Sequence, residues 1–330
     1  MAEPGTRKAL ITGAESGIGA ACAAHLAIPV IVNRSGGAAH AAGANLKDSL
    51  KQAFRQSGCE IDLHLLDGPQ IAGAVGKAKA HRVIVAGGDG TAACAAYALR
   101  GSDTELGLLP LGTLNHLARD LRIPAKLEEA AALAATGQAV PVDLGEVNGR
   151  SFVNNASIGI YPRMVAQREA YRQRHGWPKW FATIPAGIAA LARFPLHRLT
   201  IDMGQGPQRL ITSLLFVGNN VYSLESGALG SRASLSDGVM SVFAVVHRSR
   251  LALVWFSIRT LLGRANQTKD FVAFGECTEL TIDSRTSSVK MALDGELARL
   301  SFPLHFRIDP GALRIVCPPD APADRPADTQ

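Results

Sequence analysis

The chain has 330 residues, of which 47% are hydrophobic and 5% aromatic, and its formal net charge is +6. This length predicts two domains with ample apolar material for their cores, and the positive charge favours anionic partners such as ATP or acidic lipid headgroups. The lack of basic patches interleaved with aromatic residues argues against nucleic-acid binding, and five scattered cysteines without a Cys-x-x-Cys pair argue for a reducing compartment and against structural zinc.

Strands and helices alternate up to residue 140, which predicts a mostly parallel sheet covered by helices on both faces. We predict strands at 8–12, 28–32, 60–65, 81–86 and 106–110, and helices at 44–56, 69–79, 92–99, 117–121 and 127–136. Polar turns at 33–37, 87–91 and 112–115 directly follow three of these strands. Since such sheets bind ligands at the carboxyl ends of their strands, we expect a site where these turns meet.

The turn at 87–91 reads Gly-Gly-Asp-Gly-Thr and follows a short apolar, β-branched strand. Its glycines allow backbone N–H groups to approach anionic oxygens closely. We expect Thr91 to cap a helix over 92–99. Because the carboxylate of Asp89 repels a phosphate unless it holds a metal ion or takes a proton, the turn indicates phosphoryl transfer rather than simple anion binding.

After residue 140 the pattern changes to short strand candidates separated by turns, which predicts a second, mostly antiparallel unit. The candidates are 140–147, 150–158, 198–203, 209–217, 239–246, 271–274, 278–282, 289–293 and 304–308. Asn-Gly and Asp-Gly turns at 147–150 and 293–296 are typical of β-hairpins. Helical stretches at about 164–194 and 248–262 interrupt these strands, and we expect the tail at 318–330, rich in Pro, Ala and Asp, to be disordered.

Four segments, in this order along the chain, resemble the diacylglycerol kinase catalytic-domain family, which includes bacterial lipid kinases and sphingosine kinases. They are 31–37 (Ile-Val-Asn-Arg-Ser-Gly-Gly), 87–91, 110–119 (Pro-Leu-Gly-Thr-Leu-Asn-His-Leu-Ala-Arg) and 293–296 (Leu-Asp-Gly-Glu). The segments 152–159 and 235–238 are also similar to landmarks of that family. The resemblance covers roughly residues 28 to 317, and the ordered set is far more specific than any single motif.

The resemblance implies an α/β plus β fold. A three-layer α/β nucleotide-binding domain with a mostly parallel sheet would occupy 28–140, and an antiparallel β-sandwich-like domain for the lipid substrate would occupy 141–317. It also implies transfer of the γ-phosphoryl group of ATP to a lipid hydroxyl, with Mg²⁺, in the cleft between the domains. The acceptor would be diacylglycerol-like or sphingoid-like.

The resemblance further implies roles for individual residues. Glu296 would be the general base, Asp294 would lie beside it, and Asp89 would orient magnesium on the phosphates. Nucleotide contacts would come from Asn33, Arg34, Ser35, Gly36, Gly37, Gly87, Gly88, Asp89, Gly90, Thr91, Thr113 and Asn115. A second magnesium ion, outside the reacting centre, would be held by Asp237 with backbone carbonyls around Ser234 and Val239.

The sequence departs from the family pattern at several positions. Ala93 and Cys94 stand where Asn and Glu usually follow the Gly-Gly-Asp-Gly-Thr turn, His116 replaces a typical Asp, and Arg34 replaces a common Pro. A Thr expected near Leu66 is absent. A catalytically inactive lipid- or nucleotide-binding homologue is therefore an open alternative.

The segment 12–19 (Thr-Gly-Ala-Glu-Ser-Gly-Ile-Gly) resembles the cofactor loop of short-chain dehydrogenases, so an NAD(P)-dependent oxidoreductase is the second alternative. That chemistry needs a Tyr and a Lys four residues apart, and none of the four tyrosines has Lys at that spacing. We therefore treat residues 1–27 as an accessory N-terminal segment without an assigned role.

No apolar run reaches the roughly 18–20 residues of a membrane span, so we expect a cytoplasmic protein with peripheral contact to the inner face of the membrane. The stretches 177–194 and 248–264 fit either an amphipathic membrane contact or helices packed on a sheet. Simpler interpretations also stay open for single motifs: 294–296 as a solvated turn, Thr113 and Asn115 as a helix cap, and Asp237 as a turn residue. The sequence does not specify the lipid or the oligomeric state.

Overall fold

The structure, a computed structural model, describes residues 27–35, 45–160, 162, 196–222, 232, 234–245 and 271–322. Several sequence predictions fall outside these residues: the strand at 8–12, the dehydrogenase-like loop at 12–19, Gly36 and Gly37, the helical stretches at about 164–194 and 248–262, and the tail beyond 322. The described strands form two sheets.

The first part of the larger sheet is parallel, as predicted. Its strands are β1 (Ile28–Asn33), β2 (Ile61–Leu66), β3 (Arg82–Gly87) and β4 (Glu105–Pro110), in the spatial order β2-β1-β3-β4. Both β3 and β4 are buried at every residue except the last, as expected for strands covered on both faces. The helices among the described residues are α1 (Asn45–Gln56), α2 (Gly68–Lys77), α3 (Asp89–Leu99), α4 (His116–Asp120) and α5 (Leu127–Thr136).

Helix α3 corrects one prediction, because it begins at Asp89 rather than at Ala92. Its N-cap is Gly88, whose extended backbone (φ −95°, ψ −170°) ends the strand and allows the helix to start at once. Thr91 is therefore not the cap. It lies inside the first turn, where its side chain is buried and its hydroxyl accepts a hydrogen bond from the Asn33 side chain at 2.9 Å.

The remaining strands are mostly antiparallel, which confirms the predicted fold class. They are β5 (Gln138–Val147), β6 (Arg150–Phe152), β7 (Asn155–Gly159), β8 (His197–Asp202), β9 (Gln208–Thr212), β10 (Leu214–Asn219), β11 (Met240–Val245), β12 (Phe271–Cys277), β13 (Glu279–Ser284), β14 (Ser288–Leu293), β15 (Glu296–Ser301) and β16 (Leu304–Cys317). The smaller sheet has the order β12-β11-β10-β7-β14-β15.

Three predictions for this half were wrong in detail. The single strands predicted at 150–158 and 209–217 are each divided, and their two parts belong to different sheets. The strand β15 was not predicted, although the hairpin turn before it was. The last strand runs to Cys317 instead of ending at 308.

Strand β16 joins the two halves of the molecule. It pairs with β13 in an antiparallel manner near its start, with β4 in a parallel manner near its end, and with β5 along most of its length. The core under the parallel sheet accordingly includes Leu144 and Ile315, which come from these long strands. Beyond β16, Ala321 is buried and the backbone carbonyl of Asp320 accepts a hydrogen bond from Arg122 at 2.7 Å.

A second hydrophobic core lies between the two sheets. Phe152 and Phe306 pack there edge to face, with ring centroids 6.3 Å apart. Gly145 makes this packing possible, since a Cβ on it would sit 2.3 Å from the Phe152 ring.

A buried ion pair secures the parallel sheet to helix α5. Arg82 on β3 donates to Glu105 on β4 at 2.6 and 2.8 Å, and only about 9% of either side chain is exposed. The same guanidinium donates to the carbonyls of Ala134, Ala135 and Gly137 at the end of α5. A positive charge at that position also complements the helix dipole.

We predict that Arg82→Met lowers the free energy of unfolding by about 3–5 kcal/mol, because it leaves the Glu105 carboxylate buried without its partner. Lys126→Ala is the control, since it breaks an exposed ion pair with Glu129 and should cost at most about 1 kcal/mol. Urea denaturation of the two variants measures the difference. Equal destabilisation of both would contradict the assigned role of the buried pair.

Candidate functional site

The Gly-Gly-Asp-Gly-Thr turn lies at the carboxyl end of β3 and forms the first turn of α3. The N–H groups of Thr91 and Ala92 bond to the Gly88 carbonyl at 2.9 and 3.0 Å. The preceding N–H groups, of Asp89 and Gly90, have no acceptor within the helix. The turn therefore presents N–H donors and the positive end of a helix dipole, an arrangement that binds anions.

One carboxylate oxygen of Asp89, in the first turn of α3, has no hydrogen-bond partner among the described residues. This atom is Oδ1, and it is buried. A buried carboxylate oxygen left in this state is costly, so the atom is available for a ligand of the site. A divalent cation bound with phosphate oxygens would satisfy it.

The turn after β4 lies directly against the turn after β3. The N–H of Leu111 donates to the Gly87 carbonyl at 2.9 Å, and a Cβ on Gly112 would lie 2.4 Å from the Gly88 Cα. The Asn115 side chain holds this turn together: its Oδ1 accepts from Gly112 N–H, and its Nδ2 donates to the Gly112 and Pro110 carbonyls.

Asn115 and Thr113 thus differ in their surroundings. Asn115 precedes α4 with a left-handed backbone (φ 48°), and its side chain makes no capping bond to that helix. Thr113 is exposed at the rim of the turn, where its hydroxyl can reach a ligand. Of the two predicted contacts, Thr113 has the more open position.

The turn after β1 reaches the same place through Asn33. Its Nδ2 donates to Thr91 Oγ1, and its Oδ1 accepts from the Ser35 N–H at 3.1 Å. Arg34 and Ser35 both bond to Asp67, at the start of α2. The hydrogen bond from Arg34 lowers the pKa of the Asp67 carboxyl, so this exposed cluster keeps a pair of opposite charges at the rim of the site.

Glu296 approaches this site from the antiparallel half. It is the first residue of β15 and is exposed, and its Oε1 lies 3.6 Å from the position that a Cβ on Gly90 would occupy. A side chain at position 90 would narrow the space between Glu296 and the start of α3. The predicted turns at 33, 87, 112 and 296 therefore converge, and the structure brings Glu296 and Asp89 to the same end of α3.

Asp294 orients the turn that carries Glu296. Asp294 and Gly295 have φ values of 48° and 81°, which is the backbone of a type I′ hairpin turn. The Asp294 carboxylate accepts hydrogen bonds from the backbone N–H groups of Val153, Asn154 and Asn155 at 2.7 to 3.0 Å, and from the hydroxyl of Tyr97 at 2.5 Å.

The electrostatics of this region reflect its two carboxylates. Burial raises the pKa of the Asp294 carboxyl, and the hydrogen bonds from Tyr97 and the three N–H groups oppose that shift. Burial also raises the pKa of the Cys94 thiol, and the negative charge of Glu296 raises it further. Cys94 is therefore a neutral thiol near neutral pH, at a position one helical turn before Tyr97.

The third predicted group, at residues 234–239, lies in a separate loop. Asn220 makes two hydrogen bonds to this loop. Its N–H donates to the Val239 carbonyl, and its Oδ1 accepts from the Asp237 N–H, both at 2.9 Å. The Asp237 side chain is exposed, while Ser234 is buried and its Oγ accepts from the Ser236 N–H. These contacts do not join the loop to the four converging turns.

Within the described residues, no group of three or more His, Cys, Asp or Glu side chains could hold a metal ion. A cation at 234–239 would depend on Asp237, with the Asp143 carboxylate next to the loop, and on backbone oxygens. A cation at Asp89 would depend on that carboxylate and the ligand's own oxygens. Both donor sets consist of oxygen, which suits Mg²⁺ more than zinc. None of the described helices has the length and hydropathy that crossing a bilayer requires.

Two side chains that sequence reasoning missed link the halves of the molecule. Tyr97 connects α3 to Asp294, as described above. Arg232, whose side chain is fully buried, donates to Asp120 on α4 at 2.8 Å, to the Asn154 side chain and to the Val153 carbonyl. No sequence motif identified either residue, because each partner is distant along the chain.

The chain is similar to proteins that are named as lipid kinases. Residues 27–147 match the model of the diacylglycerol kinase catalytic domain. The chain is 32% identical over 249 residues to a Pseudomonas aeruginosa protein named "Probable lipid kinase YegS-like", covering 73% of this chain and 78% of that one. It is 28% identical over 256 residues to a Mycobacterium tuberculosis protein named "Diacylglycerol kinase", covering 75% and 80%.

The fold also matches that of solved structures. A crystal structure of a diacylglycerol kinase from Bacillus anthracis superposes with a TM-score of 0.62 at 19% identity, covering 89% of this chain and 98% of that chain. At this identity the match concerns the fold, and it extends across both sheets.

We predict that Gly112→Ala lowers the free energy of unfolding by about 1–3 kcal/mol, because the new methyl group would force apart the two turns that meet at Gly88. Gly73→Ala is the matched control. Gly73 is exposed in the middle of α2 with nothing within 4 Å of its added Cβ, so this change should stabilise by about 0.5–1 kcal/mol. Urea denaturation that shows the same sign for both would contradict the close approach.

We predict that Glu296→Gln increases the rate at which iodoacetamide alkylates Cys94 at pH 8. Removing the nearby negative charge lowers the pKa of the thiol and so raises its thiolate fraction. Mass spectrometry of the Cys94 peptide measures the rate. Glu279→Gln, in the exposed part of β13, should leave it unchanged, and a rate that is equal in all three proteins would place Glu296 away from α3.

Proposed function

Because the chain belongs to the diacylglycerol kinase catalytic-domain family, we propose that it is an ATP-dependent lipid kinase that phosphorylates a lipid hydroxyl. The observation that carries this proposal is the position of Glu296, whose exposed carboxylate lies beside Gly90 at the start of α3. An acid from the antiparallel half thus faces a phosphate-binding turn of the parallel half. Phosphoryl transfer to an alcohol requires both parts in this relation.

In this proposal the turns at the ends of β1, β3 and β4 bind the nucleotide. The free N–H groups at the start of α3 and its helix dipole would hold the phosphate oxygens. Asn33, Ser35 and Thr113 would add side-chain and backbone contacts, whereas Asn115 would act by shaping the turn at 110–112. Arg34, which is paired with Asp67, would lie at the rim of the site, and the neighbouring Gly36 and Gly37 would add backbone contacts.

Mg²⁺ fits the free Oδ1 of Asp89, and when bound it would neutralise charge on the phosphate oxygens. Asp237, with backbone oxygens at Ser234 and Val239, would hold a second cation that stabilises its loop. Because this loop contacts Asn220 rather than the four turns, we assign it no part in the reaction.

Glu296 would serve as the general base. The lipid hydroxyl oxygen bonds to the γ-phosphorus, the bond from that phosphorus to the β–γ bridging oxygen breaks, ADP leaves, and the hydroxyl proton passes to Glu296. Asp294 would not take this proton, because its two oxygens already accept four hydrogen bonds. We propose instead that Asp294 holds the turn that positions Glu296.

The acceptor is a lipid alcohol that the enzyme meets at a membrane surface. Diacylglycerol is the first candidate, since the related Mycobacterium tuberculosis protein is named a diacylglycerol kinase. Phosphatidylglycerol, sphingoid bases and polyisoprenoid alcohols share the chemistry and belong in the same assay. The two alternatives from the sequence, an inactive homologue and an NAD(P)-dependent oxidoreductase, are outcomes of that assay.

We predict that Glu296→Gln reduces kcat for lipid phosphorylation by about 10²–10⁴-fold, the usual contribution of a general base, while the affinity for ATP is retained. The measurement is transfer of label from γ-labelled ATP to the lipid panel presented in vesicles with Mg²⁺, together with ATP binding by calorimetry. Asp89→Asn should also lose activity, and Glu279→Gln serves as the matched control that keeps it.

Equal labelling by wild type, Glu296→Gln and Asp89→Asn would contradict the assigned roles. ATP binding without labelling of any lipid would favour the inactive homologue, in line with Ala93 and Cys94. Oxidation of NADPH with carbonyl compounds, without lipid labelling, would favour the oxidoreductase.

A further inference from the structure

Tyr97 makes a contact that the proposed chemistry does not use directly. It lies on α3, whose N-terminal end forms the phosphate-binding turn, and its hydroxyl donates to Asp294 Oδ2 at 2.5 Å across 197 residues of sequence. Asp294 is two residues before Glu296. Of the four donors to this carboxylate, Tyr97 is the one that comes from α3.

The other three donors tie the turn to its own half of the molecule. The N–H groups of Val153, Asn154 and Asn155 belong to the chain that leads into β7, the strand next to β14. They fix Asp294 relative to the smaller sheet, and none of them comes from α3. The Tyr97 hydroxyl fixes Asp294 relative to the turn at 87–91, because that turn is continuous with α3.

We propose that Tyr97 is a positioning residue, which holds Asp294 and, through it, the Glu296 carboxylate at the correct distance from the phosphate-binding turn. This inference rests on the proposed function. It explains how a base on a hairpin turn of one half can be aligned with a nucleotide bound to the other half. Small displacements of reacting groups have large effects on rate, on the order of 10²-fold for 1 Å.

The chemistry of the pair suits this role. Burial raises the pKa of the Tyr97 hydroxyl, and the charge of Asp294 raises it further, so the phenol keeps its proton and remains a donor. A hydrogen bond from a neutral hydroxyl to a carboxylate is charge-assisted and shorter than an ordinary one. Because the tyrosine side chain has few rotatable bonds, the position of α3 largely determines the position of the hydroxyl.

Tyr97→Phe removes the hydroxyl and keeps the ring. We expect kcat for lipid phosphorylation to fall about tenfold or more, while KM for ATP changes by less than about twofold. Thr212→Val is the control, because Thr212 is also buried and its hydroxyl donates to the Leu214 and Val245 carbonyls at 2.7 and 2.9 Å, away from Asp294. It should keep kcat within about twofold of wild type.

Combining Tyr97→Phe with Glu296→Gln distinguishes a positioning role of Tyr97 from a general loss of structure. If Tyr97 acts through Glu296, Tyr97→Phe should cause no further loss of kcat when it is combined with Glu296→Gln, because residues that act as a unit are not additive. The same loss in both backgrounds would overturn the positioning role. An unchanged kcat for Tyr97→Phe alone would overturn it as well.

Hydrogen–deuterium exchange tests the inference independently of activity. In Tyr97→Phe, the amides of the peptide covering 293–298 should exchange faster than in wild type, and in Thr212→Val they should not. If wild type labels no lipid but this acceleration occurs, the kinase proposal fails and the positioning of the turn stands. No acceleration overturns the inference whatever the activity.

Discussion

The set of hydrogen bonds to the Asp294 carboxylate is the interaction on which the arrangement of this protein depends. A carboxylate in that position is stable only when its oxygens are fully hydrogen-bonded, and here three successive N–H groups and the Tyr97 hydroxyl satisfy them. These donors come from both halves of the molecule. The bonds that satisfy this carboxylate therefore also set where the Glu296 turn lies relative to α3.

The sheets provide the frame within which that interaction operates. Parallel strands β1, β3 and β4 end at one edge, so their three turns necessarily meet there. The long strand β16 pairs with β4 and with β13, which continues the same sheet into the antiparallel half. Arg232 adds a second connection between α4 and the segment before β7. Together they connect the half that carries the Glu296 turn to the half that carries the turn at 87–91.

Local patterns predicted much of this architecture. The apolar strands and the glycine-rich turns are encoded within short segments, so the parallel sheet, the hairpin turn before Glu296 and the family were accessible from sequence. The errors have a different origin. The division of 209–217 at Ser213 depends on which sheet each part pairs with, and the early start of α3 depends on the extended backbone of Gly88. The contact of Tyr97 with Asp294 required the tertiary fold, since neither residue's neighbours indicate the other.

In the proposed enzyme, one crevice holds a triphosphate at the start of α3 and a carboxylate from the antiparallel half above it. A crystal structure of the wild-type protein with a non-hydrolysable ATP analogue and Mg²⁺ tests this most directly. We expect phosphates on the N–H groups of 87–91, a cation at Asp89, and the terminal phosphate facing Glu296. A triphosphate bound away from that turn, or a Glu296 carboxylate directed away from the terminal phosphate, would contradict it.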